Sequence, residues 1–366
     1  MPDKHAPDVH PFTEPVLAWY DRHARTLPWR IRPQDGAKGI RPDPYHVWLS
    51  EVMLQQTTVA AVKSYFEAFI ERWPTVDDLA AASSEGVMAA WAGLGYYSRA
   101  RNLKACAEDV AARGGFPKTQ KELQKLPGIG DYTSAAIAAI AFGEPAAVVD
   151  GNVERVVTRY TADATPLPKA REHCRRFMAK ATPGDRPGDF VQAMMDLGAT
   201  ICTPRNPVCS LCPVQQGCTA REAGTMLDYP VKPAKKAKPT RRGAAFAAFR
   251  DDGAVWLIRR PASGLLGGMA ALPSTDWSSR KDGATEKEAA PFKSAWQSAG
   301  SVRHTFTHFH LELDVWWADD AEVSGKGHWS APGEEAADGL PGLMQKALVR
   351  AQASREEAGA GSKGRA

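Results

Sequence analysis

The spacing of apolar and polar residues divides the chain into two parts with different periodicities. From about residue 12 to 220, apolar residues recur at helical spacing, and short breaks such as "RWPT" and "ATPGDRPGD" separate the helices. After residue 242, short runs such as "AVWLIRR" lie between Gly, Asp and Pro turns, which is typical of strands. The pattern predicts an all-α region over residues 12–227, followed by a smaller α/β domain over residues 243–353.

Two further segments have neither periodicity. Residues 228–242, "DYPVKPAKKAKPTRR", contain six basic residues, one acidic residue and three prolines. This composition predicts an extended basic linker that lies near a polyanion and on which repair or replication proteins dock. The last residues, 354–366, are predicted to be a disordered tail.

Composition narrows the class of protein. The 366 residues are 43% hydrophobic, carry a formal charge of +4 and include six cysteines. No apolar run approaches the roughly 20 residues of a membrane span, and the N-terminal sequence has no targeting pattern. We therefore expect a globular, cytoplasmic monomer without a disulfide framework. Its mild positive charge is compatible with a surface that faces phosphates.

Four of the six cysteines fall in one short loop, "CTPRNPVCSLCPVQQGC". Three prolines and a glycine exclude a helix interior, so the loop is a compact irregular turn. Four thiolates in such a loop fit either a structural zinc ion or an iron–sulfur cluster. Zinc is the commoner ligand of a bare four-cysteine set, although its usual repeated Cys-x2-Cys pair occurs only once here. These four residues are Cys202, Cys209, Cys212 and Cys218.

A glycine-rich turn precedes a helix of small residues in "LPGIGDYTSAAIAAIAFG". Gly128 and Gly130 leave backbone N–H groups uncovered, so the turn suits either a phosphate contact or an ordinary connection between helices. The stretch resembles the helix-hairpin-helix of the endonuclease III superfamily of DNA glycosylases. The cysteine spacing matches that superfamily's loop, which implies a [4Fe-4S] cluster rather than zinc. The resemblance also implies that Arg205 of the loop is available for a phosphate.

The position two residues after the second glycine decides the chemistry within that superfamily. Members that also cleave the DNA strand carry a lysine there, whose amine attacks the sugar to form a Schiff base. This chain has Tyr132 instead, and a phenol forms no imine. The resemblance thus implies a monofunctional glycosylase that leaves an abasic site.

Two carboxylates are candidates for the excision chemistry. Asp150 starts a helix after an apolar run, where capping is the commoner role, and the resemblance implies that it also faces C1′ of the target nucleotide beside Asn152. The helical neighbours of Glu51 include Val47 and Leu54, so its face is largely apolar and its pKa should be raised. We expect Glu51 to be the general acid that protonates adenine and Asp150 to stabilise the sugar cation.

Five further motifs are more specific than the superfamily, namely "LPWR", "WLSEVMLQQT", "GLGYYSRARNL", "DGNVERV" and "FVQAMMDLGATIC". They resemble the MutY-type adenine DNA glycosylase family, which removes adenine paired with 8-oxoguanine or guanine in double-stranded DNA. The resemblance implies that Gln56 and Tyr96 wedge into the base stack and that Arg30 and Gln192 line the adenine pocket. The connection after Arg30 is longer than is usual in the family.

The second domain contains "RHTFTHFHLELDVWW", which we interpret as one strand with an apolar face that begins at Phe309. Alternation then places Phe306 on the polar face, either as a base-stacking residue or as an edge aromatic without a ligand. The MutY-type family has a Phe-Ser-His element in a Nudix-like domain that recognises the oxidised guanine. The matching residues here are Phe306, Thr307 and His308. A glutamate-rich Nudix box is absent from the sequence, which predicts recognition without hydrolysis.

Two other functions remain open at this point. One is a glycosylase of the same fold that acts on damaged pyrimidines or on thymine in G·T mismatches. The other is a nonenzymatic DNA-binding protein that retains the hairpin and the cluster. The Phe306–His308 element argues against the first function, and the presence of Glu51, Asp150 and Asn152 argues against the second.

Overall fold

The computed structural model describes residues 10–233, 237–261, 264–335 and 338–363. They belong to two compact units, Met1–Ala234 and Lys235–Ala366. In the described ranges, no helix is both long and apolar enough to cross a membrane. Residues 234–236 of the expected linker and 364–366 of the expected tail lie outside the described residues.

The first unit is helical, as the periodicity predicted. Its described residues form the α-helices α1 (Thr13–His23), α2 (Pro33–Gly36), α3 (Pro44–Leu54), α4 (Val59–Arg72), α5 (Val76–Ala81), α6 (Ser84–Ala90), α7 (Ser98–Ala112), α8 (Gln120–Leu123), α9 (Asp131–Phe142), α10 (Gly151–Thr161), α11 (Ala170–Ala181), α12 (Pro187–Thr200) and α13 (Thr219–Glu222). Short 3-10 turns lie at Cys209–Leu211, between α12 and α13, and at Met226–Asp228, after α13.

Local chemistry fixes where the helices of the site begin. Asp43 caps α3 by accepting a hydrogen bond from the backbone N–H of Tyr45, and Pro44 occupies the first helical position, where a missing N–H costs nothing. Helix α9 is rich in buried alanines, so neighbouring helices approach it closely on both sides. It packs against α3 and α12, and α12 packs against α10. These four helices bring distant parts of the chain to one place.

The second unit is a six-stranded sheet with one long helix. Its elements are β1 (Thr240–Phe249), β2 (Val255–Arg259), β3 (Ala270–Ala271), β4 (Gln297–Thr305), β5 (His310–Asp319), β6 (His328–Ser330) and α14 (Gly342–Lys363), with a 3-10 turn at Lys287–Ala289. The strand order is β3-β2-β1-β5-β4, with β6 paired to β2. Strands β1 and β5 are parallel, while the β1–β2, β2–β3, β2–β6 and β4–β5 pairs are antiparallel.

The long helix covers one face of this sheet. Leu311, Leu313 and Val315 alternate along β5 and pack with Leu343 and Met344 of α14 in one buried cluster. The opposite face of the sheet has its own aromatic cluster. Because both faces are covered, residues 244–249 of β1 are buried without alternation.

Three segments differ from the sequence-based expectations. The last three residues of the predicted linker belong to β1, since Thr240 and Arg242 are in register with His310 and Glu312 of β5. Because the partner strand β5 is distant in the sequence, the composition of residues 240–242 does not indicate this pairing. The linker is therefore shorter than residues 228–242.

The predicted single strand in "HTFTHFHLELDVWW" is two strands. It forms the end of β4, a four-residue turn and the start of β5. The turn is closed by the backbone N–H of Phe306, which donates to the carbonyl of Phe309 at 2.9 Å. Alternation does not continue through a turn, so placing Phe306 on the polar face of a strand was wrong.

The predicted disordered tail is helical through Lys363. Side chains of the second unit hold its first residues, because the indole N–H of Trp317 donates to Ser354 at 3.1 Å and Arg355 pairs with Asp319 at 2.6 Å. Alanine, glutamate and arginine also favour helix. Residues 354–363 therefore continue helix α14.

Candidate active site

A cavity of about 210 Å³ opens in the first unit among α3, α9, α10 and α12. It is smaller than the pockets that take drug-sized ligands, and is therefore suited to a fragment such as one nucleobase. Six residues singled out from the sequence line it: Arg30, Glu51, Tyr132, Asp150, Asn152 and Gln192.

Glu51 lies in the middle of α3 and is only 6% exposed. The phenol of Tyr132 donates a hydrogen bond to its Oε2 at 2.8 Å. Burial raises the pKa of Glu51 to about 7, although the Tyr132 hydrogen bond and the charge of Arg30 act in the opposite direction. A carboxylic acid with this pKa retains its proton in a large fraction of molecules near neutral pH.

Asp150 both caps α10 and faces the cavity. Its Oδ1 accepts a hydrogen bond from the backbone N–H of Val153 at 2.7 Å, and its Oδ2 accepts one from the side-chain amide of Asn152 at 3.0 Å. Burial raises the pKa of Asp150, while these hydrogen bonds favour the charged form and oppose the rise. Capping and a place in the pocket are therefore compatible.

Arg30 is held in the cavity wall by an acidic residue that sequence reasoning missed. Its Nη1 donates to both carboxylate oxygens of Asp196, at 2.9 and 2.8 Å. Asp196 is fully buried and also accepts from the side chain of Arg25 at 2.6 Å. A charged residue in the apolar run "AMMDLGA" of α12 was the available signal.

Asn152 is fixed by two further residues that sequence reasoning missed. Arg155 donates from Nη2 to Oδ1 of Asn152 at 2.8 Å and from Nε to the carbonyl of Cys202 at 2.7 Å. Gly198 allows α12 to pack directly on this residue, because a Cβ added there would lie 2.6 Å from the Asn152 Cβ. The side-chain amide is thus anchored between α10 and α12.

Gln56 and Tyr96 lie outside this cavity. Gln56 is exposed just after α3, and Tyr96 is 50% exposed just before α7. Both have left-handed backbone conformations, with φ of 58° and 48°. Such angles are uncommon for residues other than glycine, and they are often retained at functional positions.

The glycine-rich turn has the geometry expected of a hairpin. Gly128 has a φ of +73°, and a Cβ there would lie 2.6 Å from the Cβ of Asn102. Gly130 is the N-cap of α9, no side chain caps that helix, and nothing lies within 4 Å of the place a Cβ would occupy. The start of α9 is therefore open to an anion from outside.

The four cysteines face a common space after α12. Burial, and more weakly the neighbouring Cys202, Cys218 and Cys209, raise the pKa of Cys212 to about 12. Each cysteine of a [4Fe-4S] cluster binds its own iron, so four neighbouring thiols are the ligand set that such a cluster requires.

The tip of the β4–β5 hairpin in the second unit carries exposed polar side chains next to two stacked aromatic rings. Phe306 is half-buried and stacks on Phe309, with ring centroids 4.7 Å apart and an angle of 19° between the planes. Thr307 and His308 are exposed at the tip. Phe306 therefore contributes to the core of this unit as well as to its surface.

Three parts of the chain match known protein families. Residues 49–180 match the HhH-GPD superfamily of base excision DNA repair proteins. Residues 202–221 match the iron-sulfur binding domain of endonuclease III, and residues 244–350 match the NUDIX domain. The chain is 37% identical to the adenine DNA glycosylase of Homo sapiens, over 84% of this chain and 67% of that protein.

The chain belongs to the adenine DNA glycosylase family. It is also 31% identical to the adenine DNA glycosylase of Buchnera aphidicola (strain Sg), over 83% of this chain and 86% of that protein. A solved structure of a thermostable thymine-DNA glycosylase superposes with a TM-score of 0.51 and 30% identity, over 58% of this chain and 95% of that one. The expected fold, enzyme class and [4Fe-4S] cofactor of an adenine DNA glycosylase are confirmed.

Proposed function

We propose that the protein excises adenine paired with 8-oxoguanine or guanine in double-stranded DNA and leaves an abasic site without cutting the strand. The observation that carries the monofunctional mechanism is Tyr132, which occupies the cavity and donates to Glu51. Among the described residues that line the cavity there is no lysine to attack the sugar. We expect the protein to act as a monomer at the nucleoid, in the cytoplasm.

Glu51 supplies the proton in this mechanism. Adenine leaves readily only when one of its ring nitrogens is protonated, and a carboxylic acid with a pKa of about 7 is matched to that task. Tyr132 holds the Oε2 atom, which leaves the other carboxyl oxygen free to turn toward the base. Gln192 lines the same cavity and suits an adenine edge, because its amide both donates and accepts.

Asp150 supplies the negative charge. Departure of the base leaves an oxocarbenium-like sugar, and a nearby carboxylate stabilises that cation or traps it covalently. The hydrogen bonds from Val153 and Asn152 favour the charged form of Asp150 and oppose the rise in its pKa that burial causes. Asn152, fixed by Arg155, also orients the water that completes the reaction.

The remaining surface elements are assigned to the DNA. Gln56 and Tyr96 fill the gap that the extruded base leaves in the stack. The open start of α9 at Gly130, with the turn at Gly128, binds a backbone phosphate. When bound, the [4Fe-4S] cluster fixes the shape of the loop, with Arg205 exposed beside it for a further phosphate.

The hairpin tip of the second unit recognises the partner base. Stacking of Phe306 on Phe309 holds the loop rigid, so that Thr307 and His308 present hydrogen-bonding groups in a fixed arrangement. 8-Oxoguanine differs from guanine by an oxygen at C8 and a hydrogen at N7, which polar groups distinguish. The tip therefore favours the oxidised pair without any hydrolytic chemistry of its own.

Single-turnover excision tests the proposal. Duplexes with one 8-oxoguanine·A, G·A, G·T or thymine-glycol pair are incubated with excess enzyme and divided into samples with and without alkali. We expect adenine to be released fastest opposite 8-oxoguanine, and we expect strand breaks only in the samples treated with alkali. Strand breaks without alkali would refute the monofunctional mechanism, and faster release of thymine would support the alternative substrate.

A further inference from the structure

Arg99 is a buried cation whose partners are almost all backbone oxygens. It lies in the first turn of α7, is 8% exposed, and forms no ion pair with any carboxylate of the described residues. Its two terminal nitrogens reach across three segments of the chain. They donate to the carbonyls of Val52, Met53 and Leu94 at 3.0 Å, to that of Gly95 at 3.4 Å and to Oγ1 of Thr57 at 3.3 Å.

The first group of contacts closes the end of α3. The last carbonyls of a helix have no partner within the helix, and a cation beside them is favourable. Arg99 supplies donors for Val52 and Met53, immediately before the chain turns at Gln55 and enters the left-handed conformation of Gln56. The guanidinium thus caps α3 and fixes the point at which the helix ends, two residues before Gln56.

The second group fixes the turn before α7. Gly95, whose carbonyl accepts from Arg99, directly precedes Tyr96, the other exposed residue with a left-handed backbone. The guanidinium also lies 5.5 Å from the ring centroid of Tyr96 and 5.2 Å from that of Trp91. One side chain therefore contacts the end of α3 and the Thr57 hydroxyl, on either side of Gln56, and also the backbone next to Tyr96 and the ring of Tyr96.

We propose that Arg99 is a positioning residue that holds Gln56 and Tyr96 in one rigid arrangement, so that both enter the base stack together when adenine leaves it. This inference rests on the proposed role of Gln56 and Tyr96 in filling the stack. A flat guanidinium with two terminal nitrogens meets five acceptors at once. A lysine, with one rotating ammonium, cannot bridge the two turns in the same way.

Base extrusion can be measured separately from chemistry. In an Asp150→Asn background, which retains a capping side chain, the fluorescence of 2-aminopurine next to the target adenine reports loss of stacking. Arg99→Lys should lower the extrusion constant about tenfold, the effect expected from losing one or two hydrogen bonds. Lys104→Met is the control, since Lys104 is a buried cation on the same helix that instead donates to the carbonyl of Ala80 and to the carboxylate of Glu108.

A double-mutant cycle distinguishes positioning from general stability. If Arg99 acts through the two surface residues, Arg99→Lys should have no further effect once Gln56→Ala and Tyr96→Ala are present. An equal loss in both backgrounds, or the same loss in Lys104→Met, would overturn the proposal. If Arg99→Lys does not retain the visible absorption of the cluster, Arg99→Gln, with a smaller planar donor group, replaces it.

The control arms also separate this inference from the proposed function. Should the Gln56 and Tyr96 variants extrude adenine as the parent does, the stack-filling role itself is wrong and the positioning role falls with it. Should they lower extrusion while Arg99→Lys does not, only the assignment of Arg99 is overturned. In either case the excision assay on 8-oxoguanine·A duplexes stays informative about the reaction.

Discussion

Glu51 should make the folded protein less stable as the pH rises. The unfolded glutamate has its ordinary pKa of 4.5, whereas burial raises the pKa in the folded protein to about 7. Between these values the folded state binds more protons at Glu51 than the unfolded state does. The stability that Glu51 contributes is therefore fully present below pH 4.5 and is lost as the pH rises through about 7. Glu51→Gln replaces the acid with a neutral side chain of the same shape and removes this dependence.

The size of the effect follows from the two pKa values. A pKa that moves from 4.5 to about 7 corresponds to about 3 kcal/mol, at about 1.4 kcal/mol for each pKa unit. For a unit of this size, about 3 kcal/mol changes the melting temperature by roughly 6–12 °C. We expect Glu51→Gln and the parent to melt at similar temperatures near pH 5 and the variant to melt roughly 10 °C higher at pH 8.

Thermal melts followed by the visible absorption of the cluster report on the helical unit alone. Glu67→Gln on α4 is the control, because Glu67 is exposed and its replacement should leave the melting temperature unchanged at both pH values. Single-turnover excision by Glu51→Gln should fall by a factor of about 100 to 10,000, the usual contribution of a general acid.

The melting temperatures of Glu51→Gln and the parent could differ by the same amount at pH 5 and at pH 8. That result would show that Glu51 does not titrate in this range. A variant that is less stable than the parent at pH 8 would show that the charged carboxylate is favoured by its surroundings. Either result would refute the assignment of Glu51 as the group that carries the proton.

Three further variants test other parts of the site. Tyr132→Phe removes the hydrogen bond to the Glu51 carboxylate, so the alkaline limb of the excision rate should move up by about one pH unit in a pH series; a limb that moves down would contradict this. Gly198→Ala should slow excision at least tenfold at saturating DNA, because its Cβ displaces Asn152; an unchanged rate would exclude that displacement. His308→Ala should reduce the preference for 8-oxoguanine·A over G·A in paired single-turnover assays, and equal discrimination would refute the role of the tip.

Features set by near neighbours in the chain could be predicted from the sequence. The apolar residues three and four positions from Glu51 predicted its burial, and the apolar run before Asp150 predicted a cap at the start of a helix. The four-cysteine spacing and the two glycines were equally local. Each of these signals lies within one short stretch of the chain, the longest being the loop from Cys202 to Cys218.

Features that depend on distant partners could not be predicted in this way. Asp196 meets Arg25 across 171 residues, and Arg99 meets Val52 across 47. The turn at Phe306 contains neither glycine nor proline, so the local sequence gives no sign of a turn there. Sequence reasoning therefore found the residues proposed for the chemistry and missed those that hold them in place.

The closed four-residue turn between β4 and β5 limits how the proposed recognition element can change in evolution. A change in length that shifts the pairing of β4 with β5 by one position would turn Leu311 and Leu313 from the core toward solvent. Changes of side chain at the tip carry no such cost. The proposed recognition of the partner base can therefore evolve through substitutions at Thr307 and His308 while the length of the turn stays fixed.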